Sequence, residues 1–328
     1  MRRAFTNSFL LVVAILVVAE IAMRLFWSRG LSGRFDYGYH ATAGFVEKSG
    51  GSLDLVRAGG RRFHPQHFAQ QRPAGTFRIM VVGDSVPRGP SLSEAYSTRV
   101  AEFLRAGGSA AEGWNLCLPG YGAHRCHVVL AQALKYQPSL IIRHVNNSNE
   151  YEDEREWQRS QDFQGWHPKN LLMKSLLVRR LHQMKTEGIF WSLLPEKIRA
   201  QQGVNDAGAK IIAMTDETQI RAWQDRVRNF LKADLDDCRK AGVPVLLVTQ
   251  VRMRGTGKSA TLDDSGLDDL ARSFAAPGVE VLTMKDVLAG MDFVPLFMDT
   301  AHLNGRGHEI LARAITEKIT PIVRPAAR

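Results

Sequence analysis

Residues in two distant parts of this chain have the types and spacing that nucleophilic chemistry needs. Ser85 ends a Gly-Asp-Ser tripeptide that directly follows the apolar run Ile79–Val82. Far along the chain, Asp299 precedes His302 by three residues. An aspartate at that spacing can hold the histidine ring through Nδ1, which leaves Nε2 free to take a proton from a serine hydroxyl. Each segment alone is also compatible with an ordinary turn, so the chemistry depends on a fold that joins them.

Two further segments offer hydrogen-bond donors that could stabilise a developing oxyanion. The segment Asn115–Gly120, with the sequence NLCLPG, closes a predicted strand and presents the backbone N–H of Gly120. The segment Asn147–Glu150, with the sequence NSNE, closes the next predicted strand and presents a side-chain amide. A tetrahedral acyl intermediate needs two or three donors aimed at one oxygen, and each can be worth about 3 kcal/mol. All four segments would occur together by chance far less often than any one of them alone.

The elements that would position these residues alternate between apolar strands and amphipathic helices. Apolar runs bounded by turn residues predict strands at 77–82, 114–118, 140–145, 243–248 and 279–282. Helical spacing predicts helices between them, at 96–106, 123–136, 218–240 and 307–319. This alternation predicts an α/β fold in three layers, with a parallel sheet flanked by helices on both faces. The carboxyl ends of such strands share one edge, where open α/β sheets bind their ligands.

Between about residues 150 and 215 the alternation lapses, which predicts a helical insertion in the sheet domain. Residues 150–159 are dense in charge, and the apolar residues from Leu171 to Met184 then fall on one helical stripe. We interpret this stripe as a surface that packs on the core and could cover the site as a lid. The alternative is that the same helix lies on a membrane, because basic residues surround the stripe.

The N-terminus carries an apolar segment that predicts an anchor or a signal sequence. Residues Phe9–Ala19 contain no polar side chain, and apolar residues resume after Glu20 and again after Arg24. A membrane span needs about 20 apolar residues, so the segment suits an uncleaved anchor if Arg24 reaches the interface. The uninterrupted run is short enough for a cleaved signal peptide, which remains the alternative. In either case we expect the rest of the chain on the extracytoplasmic side.

The composition is that of a folded globular protein with a basic surface. The chain has 328 residues, of which 45% are hydrophobic and 23% are charged, and its formal net charge is +10. These values exclude a mostly disordered or collagen-like chain. Because the basic residues are scattered, we expect attraction to anionic surfaces and no nucleic-acid footprint. We divide the chain into a hydrophobic segment at 1–30, a linker and entry segment at 31–75, and a main domain at 76–328.

The order of the four segments resembles that of the SGNH, or GDSL-type, hydrolase superfamily over roughly Phe77–Lys318, with the insertion excluded. The resemblance implies an SGNH or flavodoxin-like fold in which Ser85 is the nucleophile. His302 would then be the general base, and Asp299 would orient it. The resemblance also implies an oxyanion hole that uses the backbone N–H groups of Ser85 and Gly120, completed by an asparagine amide. It implies no metal and no organic cofactor.

The third segment departs from the family pattern, which is usually Gly-x-Asn-Asp. Here Asn147 stands in the glycine place and Glu150 in the aspartate place. We take Asn149 as the amide donor because an acid follows it directly. Asn147 and Asn146 remain the alternatives.

The sequence therefore predicts an extracytoplasmic serine esterase that is tethered to the membrane by its N-terminal helix. Its substrate would be an O-acyl ester, in particular an O-acetyl ester, on a carbohydrate or an envelope polymer, an expectation that rests on the family and the exported location. An O-acyltransferase with the same residues is the first alternative, and it differs in whether water can reach the acyl-enzyme. A noncatalytic envelope-assembly or binding module is the second, favoured if His302 cannot reach Ser85.

Other motifs in the chain are weaker. The segment Gly255–Ser259 imitates a phosphate loop but lacks its first glycine, so we expect a basic loop there. Two histidine pairs have metal-compatible spacing, His64 with His67 and His124 with His127, but no obvious set of acidic or cysteine partners completes either one.

Three cysteines exclude a disulfide-rich scaffold, and their redox state stays open. Cys117 and Cys126 could form a disulfide in an oxidising compartment, or they could be free buried thiols, as could Cys238.

Overall fold

The computed structural model describes residues 2–27, 38–39, 44–58, 61–162, 168–172, 175–178, 181 and 217–323. The chain forms two compact units. The larger comprises Gly38–Arg155 and Glu217–Arg328, and the smaller comprises Met1–Tyr37 and Glu156–Asp216. All four segments singled out for chemistry lie in the larger unit.

The described residues contain short strands and longer helices. The strands in chain order are β1 (Phe45–Lys48), β2 (Ser52–Leu55), β3 (Arg57–Ala58), β4 (Arg61–Arg62), β5 (His67–Ala69), β6 (Phe77–Gly83), β7 (Ala111–Cys117), β8 (Leu140–Val145), β9 (Val245–Thr249), β10 (Arg252–Arg254), β11 (Thr261–Asp263) and β12 (Val279–Thr283). The helices are α1 (Arg2–Ala22), α2 (Ser85–Arg88), α3 (Tyr96–Ala106), α4 (Ala123–Ala133), α5 (Glu150–Asp162), α6 (Pro168–Leu172), α7 (Glu217–Lys240), α8 (Leu267–Arg272), α9 (Met284–Val287) and α10 (Gly305–Val323).

Five strands of the larger unit form a parallel sheet in the order β12-β9-β8-β6-β7. Numbered along the chain, this is the 2-1-3-4-5 order of a doubly wound, flavodoxin-like sheet, which binds its ligands where the strand order reverses. The reversal lies at β6, which pairs with β7 on one side and with β8 on the other. The predicted parallel α/β fold is therefore confirmed, and its switch point is the strand that precedes Ser85.

Helices cover both faces of the sheet, because its central strands are apolar at successive positions. In β6, Met80 and Val82 belong to one core, which apolar residues of α4 and α7 close. Ile79 and Val81 belong to the other core, which α3 and α10 close. All four side chains are fully buried, and burial stabilises the fold by roughly 1.5–3 kcal/mol for each such side chain. The predicted three-layer arrangement is confirmed.

The segment before β6 is more regular than its sequence pattern indicates. Strands β1, β2 and β5 pair into an antiparallel sheet, and β3 pairs with β4. Apolar side chains of this segment are buried in the same core as β7: Phe45, Leu53, Leu55 and Phe63. The sequence indicated only an irregular entry segment because strands of two to four residues are too short to show a period.

In the smaller unit, α1 is the helix predicted for the apolar N-terminal segment. The stretch Thr6–Leu25 is long and apolar enough to cross a membrane, and 0% of it is buried. Near its end, the Glu20 carboxylate accepts hydrogen bonds from the Ser175 hydroxyl and from the backbone N–H groups of Leu176 and Leu177.

The predicted insertion is helical at α5 and α6, and most of its remaining residues lie outside those that the structure describes. Of the predicted apolar stripe, Leu171 and Leu172 are exposed whereas Leu176 is buried. The stripe is not continuous because Ser175 is not helical, so the residues on either side of it do not share one helical face. Met184, the last residue of the stripe, lies outside the described residues.

Cys117, Cys126 and Cys238 are buried free thiols, so the disulfide that the sequence left open is not formed. Within the loop that imitates a phosphate-binding motif, Gly257–Ser259 forms a single 3-10 turn and begins no long helix.

Candidate active site

Ser85 begins α2 at the carboxyl end of β6, where the chain turns sharply from strand to helix. Gly83 is needed at this turn, because a Cβ there would lie 2.5 Å from Cγ of Pro87. Asp84 caps the helix through Oδ1, which accepts a hydrogen bond from the N–H of Val86 at 3.0 Å. The strand end, the glycine and the cap together present the Ser85 hydroxyl at the edge of the sheet.

His302 reaches Ser85 from a loop that is distant in sequence. Its Nε2 atom lies 2.8 Å from Oγ of Ser85, and its Nδ1 atom lies 2.7 Å from Oδ2 of Asp299. The other carboxylate oxygen of Asp299 accepts the backbone N–H groups of Ala301 and His302, both at 2.8 Å. The carboxylate is therefore held by its own loop. With Nδ1–H donated to Asp299, Nε2 is the nitrogen that accepts the hydrogen bond from the Ser85 hydroxyl.

The contacts of Asp299 also determine its charge. Burial raises the pKa of Asp299, but the hydrogen bonds from the two backbone N–H groups and from the His302 ring together hold the pKa below its usual value. The side chain of Asp299 is 55% exposed and that of His302 is 34% exposed, so water has access to both. An ionised carboxylate beside the ring would stabilise an imidazolium if Ser85 passed its proton to Nε2.

Backbone hydrogen bonds hold the loop that carries His302. The carbonyl of His302 accepts the N–H of Met298 at 2.8 Å, and the carbonyl of Thr300 accepts the N–H of Met253 in β10 at 2.7 Å. Asn304 then caps α10, since its Oδ1 accepts N–H groups from the first turn of that helix. The segment thus provides both a helix cap and a ring directed at Ser85.

Asn149 lies between the turn that carries Ser85 and the loop that follows β7. Its Nδ2 atom lies 2.8 Å from Oδ2 of Asp84 and 3.4 Å from the carbonyl oxygen of Tyr121. The second contact is at the long limit of a hydrogen bond, so one amide hydrogen can turn to a new acceptor. Because Asp84 precedes Ser85 and Tyr121 follows Gly120, the structure brings Asn149 close to both of these predicted donors.

The other two predicted oxyanion donors are the backbone N–H groups of Ser85 and Gly120. Within the described part of the chain, the N–H groups of Ser85 and Gly120 donate no hydrogen bond. Gly120 has a φ of +73°, in the left-handed region that glycine adopts without strain. Their action on an oxyanion remains a prediction.

The alternative asparagines occupy other positions. Asn146 is buried, and its Oδ1 atom has no partner among the described residues. Asn147 follows it on the same turn after β8. Of the three, Asn149 is the one whose side chain is hydrogen-bonded to Asp84, which directly precedes Ser85, in the described structure.

Asp84 connects the cap of α2 to Asn149. Burial raises the pKa of Asp84 to about 6, although the hydrogen bond from Val86, the nearby His302 and the hydrogen bond from Asn149 all lower it. Above that pH the carboxylate is ionised and accepts hydrogen bonds on both oxygens. The sequence indicated Asp84 only as a member of the tripeptide, because its partner Asn149 is 65 positions away.

The carboxylates of Glu150 and Asp153 at the start of α5 are buried, whereas the sequence indicated Glu150 only as the acid after Asn149 and did not indicate Asp153. Glu150 accepts the N–H of Ala123, the first residue of α4, at 2.7 Å, and Asp153 accepts the N–H of His124 at 3.1 Å. Two acids three positions apart lie on the same face of a helix. That spacing was the available signal, but the sequence did not show that this face would be buried against α4.

Two arginines balance these carboxylates. The Nε atom of Arg125 lies 2.5 Å from Oδ1 of Asp153, and Nη2 of Arg125 donates to the carbonyl of Gly120 at 2.6 Å. Arg226 of α7 lies 3.3 Å from Glu150 and 3.4 Å from Asp153. Burial raises the pKa of Glu150 to about 7, and nearby Asp153 also raises it. The hydrogen bond from the Ala123 N–H and the charge of Arg226 lower this pKa. The charged cluster therefore joins the loop of Gly120 to the helix that follows Asn149.

Both histidine pairs at metal-compatible spacing make other contacts, and in the second pair the His127 ring contacts Asp234 at 2.8 Å. The His64 ring contacts the carbonyl of Arg88 at 3.0 Å, whereas the His67 ring contacts Asp54 at 2.7 Å. Among the described residues, no group of three or more histidine, cysteine, aspartate or glutamate side chains is arranged to hold a metal ion.

No family model and no curated protein matches the chain. Solved structures do match it. The acetyl xylan esterase AlAXEase is 14% identical with a TM-score of 0.44, and the match covers 74% of this chain and 99% of that chain. A carbohydrate esterase family 3 structure from Talaromyces cellulolyticus is 10% identical with a TM-score of 0.42, covering 76% and 99%. The lipase Lip_vut3 from a goat rumen metagenome is 12% identical with a TM-score of 0.42, covering 74% and 96%. At these values the likeness carries no argument about activity.

Proposed function

We propose that this chain is a serine esterase of the SGNH type that hydrolyses O-acyl esters through an acyl-enzyme on Ser85. The observation that carries the proposal is the hydrogen-bonded path from Oγ of Ser85 through both ring nitrogens of His302 to Asp299, with steps of 2.8 and 2.7 Å. Contacts of this length let a proton pass to the imidazole while the hydroxyl attacks a carbonyl carbon. The same path counts against a noncatalytic module, which would not require His302 to reach Ser85.

The proposed reaction has two halves. Oγ of Ser85 bonds to the ester carbonyl carbon while Nε2 of His302 takes the hydroxyl proton. The carbonyl oxygen becomes an oxyanion that accepts hydrogen bonds from the N–H groups of Ser85 and Gly120 and from the amide of Asn149. The carbon–oxygen bond to the alcohol then breaks, and His302 gives the alcohol its proton. In the second half, water transfers a proton to His302 as it attacks the acyl carbon, and Ser85 leaves with that proton. Asp299 stays ionised throughout.

Hydrolysis is favoured over acyl transfer by the exposure of the proton path. An acyltransferase must keep water from the acyl-enzyme long enough for another hydroxyl to react. Here the side chains of His302 and Asp299 are both partly exposed, so the base that activates water is open to it. We therefore retain the O-acyltransferase only as an alternative outcome of the assay.

For the substrate, we propose an O-acetyl ester on a carbohydrate or an envelope polymer. A polar substrate is supported by the ion pair Arg61–Glu152, which adjoins Gly120 and whose side chains are 34% and 22% exposed. The net charge of +10 would also favour the approach of an anionic polymer.

For the location, we propose a membrane anchor with an extracytoplasmic enzyme. The support is the apolar stretch Thr6–Leu25, preceded by the basic residues Arg2 and Arg3. Arg2 and Arg3 favour a cytoplasmic N-terminus, which places the rest of the chain on the other side, whereas Arg24, Arg29 and Arg34 at and after the end of the stretch oppose that orientation. A cleaved signal peptide remains the alternative.

The full-length protein in detergent tests the activity. We expect hydrolysis of p-nitrophenyl acetate, with slower turnover of the butyrate and octanoate esters. Ser85→Ala should lose roughly a thousandfold or more of kcat, since the nucleophile is gone. The control is Ser93→Ala, which changes an exposed serine on the chain that follows α2 and should retain full turnover. Equal turnover by wild type and Ser85→Ala would overturn the proposal. Acyl transfer to added sugar in place of hydrolysis would favour the alternative.

A further inference from the structure

Arg61 contacts the peptide bond that precedes Gly120, although it belongs to the small strand β4. Its Nε donates to the carbonyl oxygen of Pro119 at 3.1 Å. Its Nη2 lies 2.5 Å from Oε1 of Glu152, in the first turn of α5. A Cβ on Gly120 would lie 3.4 Å from both Nη2 of Arg61 and Oε2 of Glu152, so the ion pair lies directly against this glycine.

The geometry of the peptide bond gives this contact a consequence for Gly120. The carbonyl of Pro119 and the N–H of Gly120 belong to one planar trans peptide unit, so they point in opposite directions. When Arg61 holds the carbonyl oxygen, it directs the Gly120 N–H away from the guanidinium. A cationic donor on the carbonyl also polarises the amide, which strengthens hydrogen bonds donated by its N–H.

A second arginine holds the next peptide unit. Nη2 of Arg125 donates to the carbonyl of Gly120 at 2.6 Å. The two peptide planes on either side of the Gly120 Cα are therefore each bound to a guanidinium. Each guanidinium in turn binds a carboxylate of α5, Arg61 to Glu152 and Arg125 to Asp153. Because α5 begins directly after Asn149, these contacts tie Gly120 and Asn149 to one helix.

We propose that Arg61 is a positioning residue: by binding the Pro119 carbonyl it orients the Gly120 N–H toward the oxyanion of the transition state. This inference rests on the proposed function. Loss of Arg61 leaves the nucleophile, the base and Asn149 in place and misdirects one donor. Removal of an interaction that acts only when charge develops on the carbonyl oxygen lowers kcat and leaves substrate binding nearly unchanged.

Kinetics of the full-length protein with p-nitrophenyl acetate test the proposal. For Arg61→Met we expect kcat to fall about tenfold to a hundredfold, somewhat less than complete loss of a donor, with KM within about twofold. Arg61→Lys, which can still donate to the Pro119 carbonyl, should recover part of kcat. The matched control is Arg62→Met, an exposed arginine next along the same strand, which should match wild type. An unchanged kcat in Arg61→Met, or a rise in KM alone, overturns the proposal.

Glu152→Gln is a second variant that keeps the guanidinium but removes its charged partner. We expect a smaller loss of kcat than in Arg61→Met, again at constant KM. A melting temperature close to that of wild type shows that the variant is folded, so a loss of kcat then reports orientation. A folded variant with wild-type kcat counts against the role of the ion pair and limits the proposal to Arg61 alone.

A spectroscopic measurement decides the orientation without any turnover. The sequence contains two Pro-Gly steps, Pro119–Gly120 and Pro277–Gly278. The protein is labelled with carbonyl-¹³C proline and ¹⁵N glycine. Its NMR spectrum, filtered for ¹⁵N amides bonded to a ¹³C carbonyl, therefore shows two amide signals, those of Gly120 and Gly278. Arg61→Met should shift the Gly120 signal and leave the Gly278 signal, while Arg62→Met should shift neither. If wild type hydrolyses no ester, the proposed function fails, and an unmoved Gly120 signal would separately refute the contact of Arg61.

Discussion

Of three neighbouring asparagines, Asn149 is the one that we predict to act on the oxyanion. Its Nδ2 is bound to Asp84, beside Ser85, whereas Asn147 lies two positions earlier on the same turn. We expect Asn149→Ala to lower kcat on p-nitrophenyl acetate by about a hundredfold to a thousandfold, because one oxyanion donor is lost. Asn147→Ala is the matched control and should retain most of the activity. The reverse ranking of the two variants would transfer the role to Asn147.

The raised pKa of Glu150 predicts that the stability of the fold depends on pH. Burial raises the pKa of Glu150 to about 7, and the charged groups that face it are Asp153, Arg226 and Arg143. The unfolded chain releases this proton near 4.5, so the folded protein binds more protons between these two values. The contribution of Glu150 to stability therefore falls as pH rises from about 4.5 to about 7.

The variant Glu150→Gln tests this dependence. Its amide oxygen can still accept the Ala123 N–H, but the side chain cannot ionise. We expect the melting temperature of Glu150→Gln, relative to wild type, to rise between about pH 5 and about pH 8. The exposed Glu317→Gln is the control, and its difference from wild type should stay flat. A flat difference for Glu150→Gln would show that the carboxylate does not titrate in this range.

At the scale of elements, the sheet and its helices determine where the predicted oxyanion donors lie. The carboxyl ends of β6, β7 and β8 are aligned by their registers, so the turns that follow them share one edge. Helix α5 then packs its first turn against the start of α4 through carboxylates and backbone N–H groups. The relative position of Asn149 and Gly120 is therefore a property of this helix junction.

Gly122 is the residue on which the junction of α4 and α5 depends. A Cβ there would lie 2.6 Å from Cβ of Asp153 and 2.8 Å from Oε1 of Glu150. We expect Gly122→Ala to lower stability by about 1–3 kcal/mol, through overpacking, and to lower kcat as the helices separate. Gly107→Ala, at an exposed glycine with a φ of −79°, is the control for both thermal melting and turnover. A Gly122→Ala protein with wild-type stability and kcat would mean that α4 and α5 accommodate the added methyl group with no loss of stability or activity.

At the scale of the whole molecule, the two units are proposed to meet different surroundings. The larger unit buries its apolar residues in two cores on the faces of the sheet. In the smaller unit, α1 has apolar side chains that are exposed along most of its length, which suits a lipid environment.

Membrane insertion of α1 is tested by fractionation. We expect the full-length protein to stay with membranes in alkaline carbonate and its intact mass to include Met1. Leu16→Arg should weaken insertion, because an arginine at the centre of a span costs about 2.5–3.5 kcal/mol. Val46→Arg, at an exposed valine of β1, is the control and should fractionate as wild type. A mature mass that lacks the first residues would replace the anchor by a signal peptide.

The sequence alone was enough to predict the alternation of strands and helices, because it depends on local periodicity and on the residues that end each element. The parallel sheet and its flanking helices follow from that pattern. Element ends were less predictable: the closing helix was expected at 307–319 and extends over Gly305–Val323, since capping by Asn304 extends it at its start. The sequence also indicated Ser85 and His302 as partners, because their motifs carry a recognisable order along the chain.

Only the tertiary structure brought the distant side chains into contact. Arg61 and Pro119 are separated by 58 positions, and Asn149 and Asp84 by 65, so no local period relates them. Arg125 and Asp153 are buried together because α4 and α5 pack on each other, and buried charges require such partners. Contacts of this kind depend on the packing of whole elements, which the linear order of residues does not express.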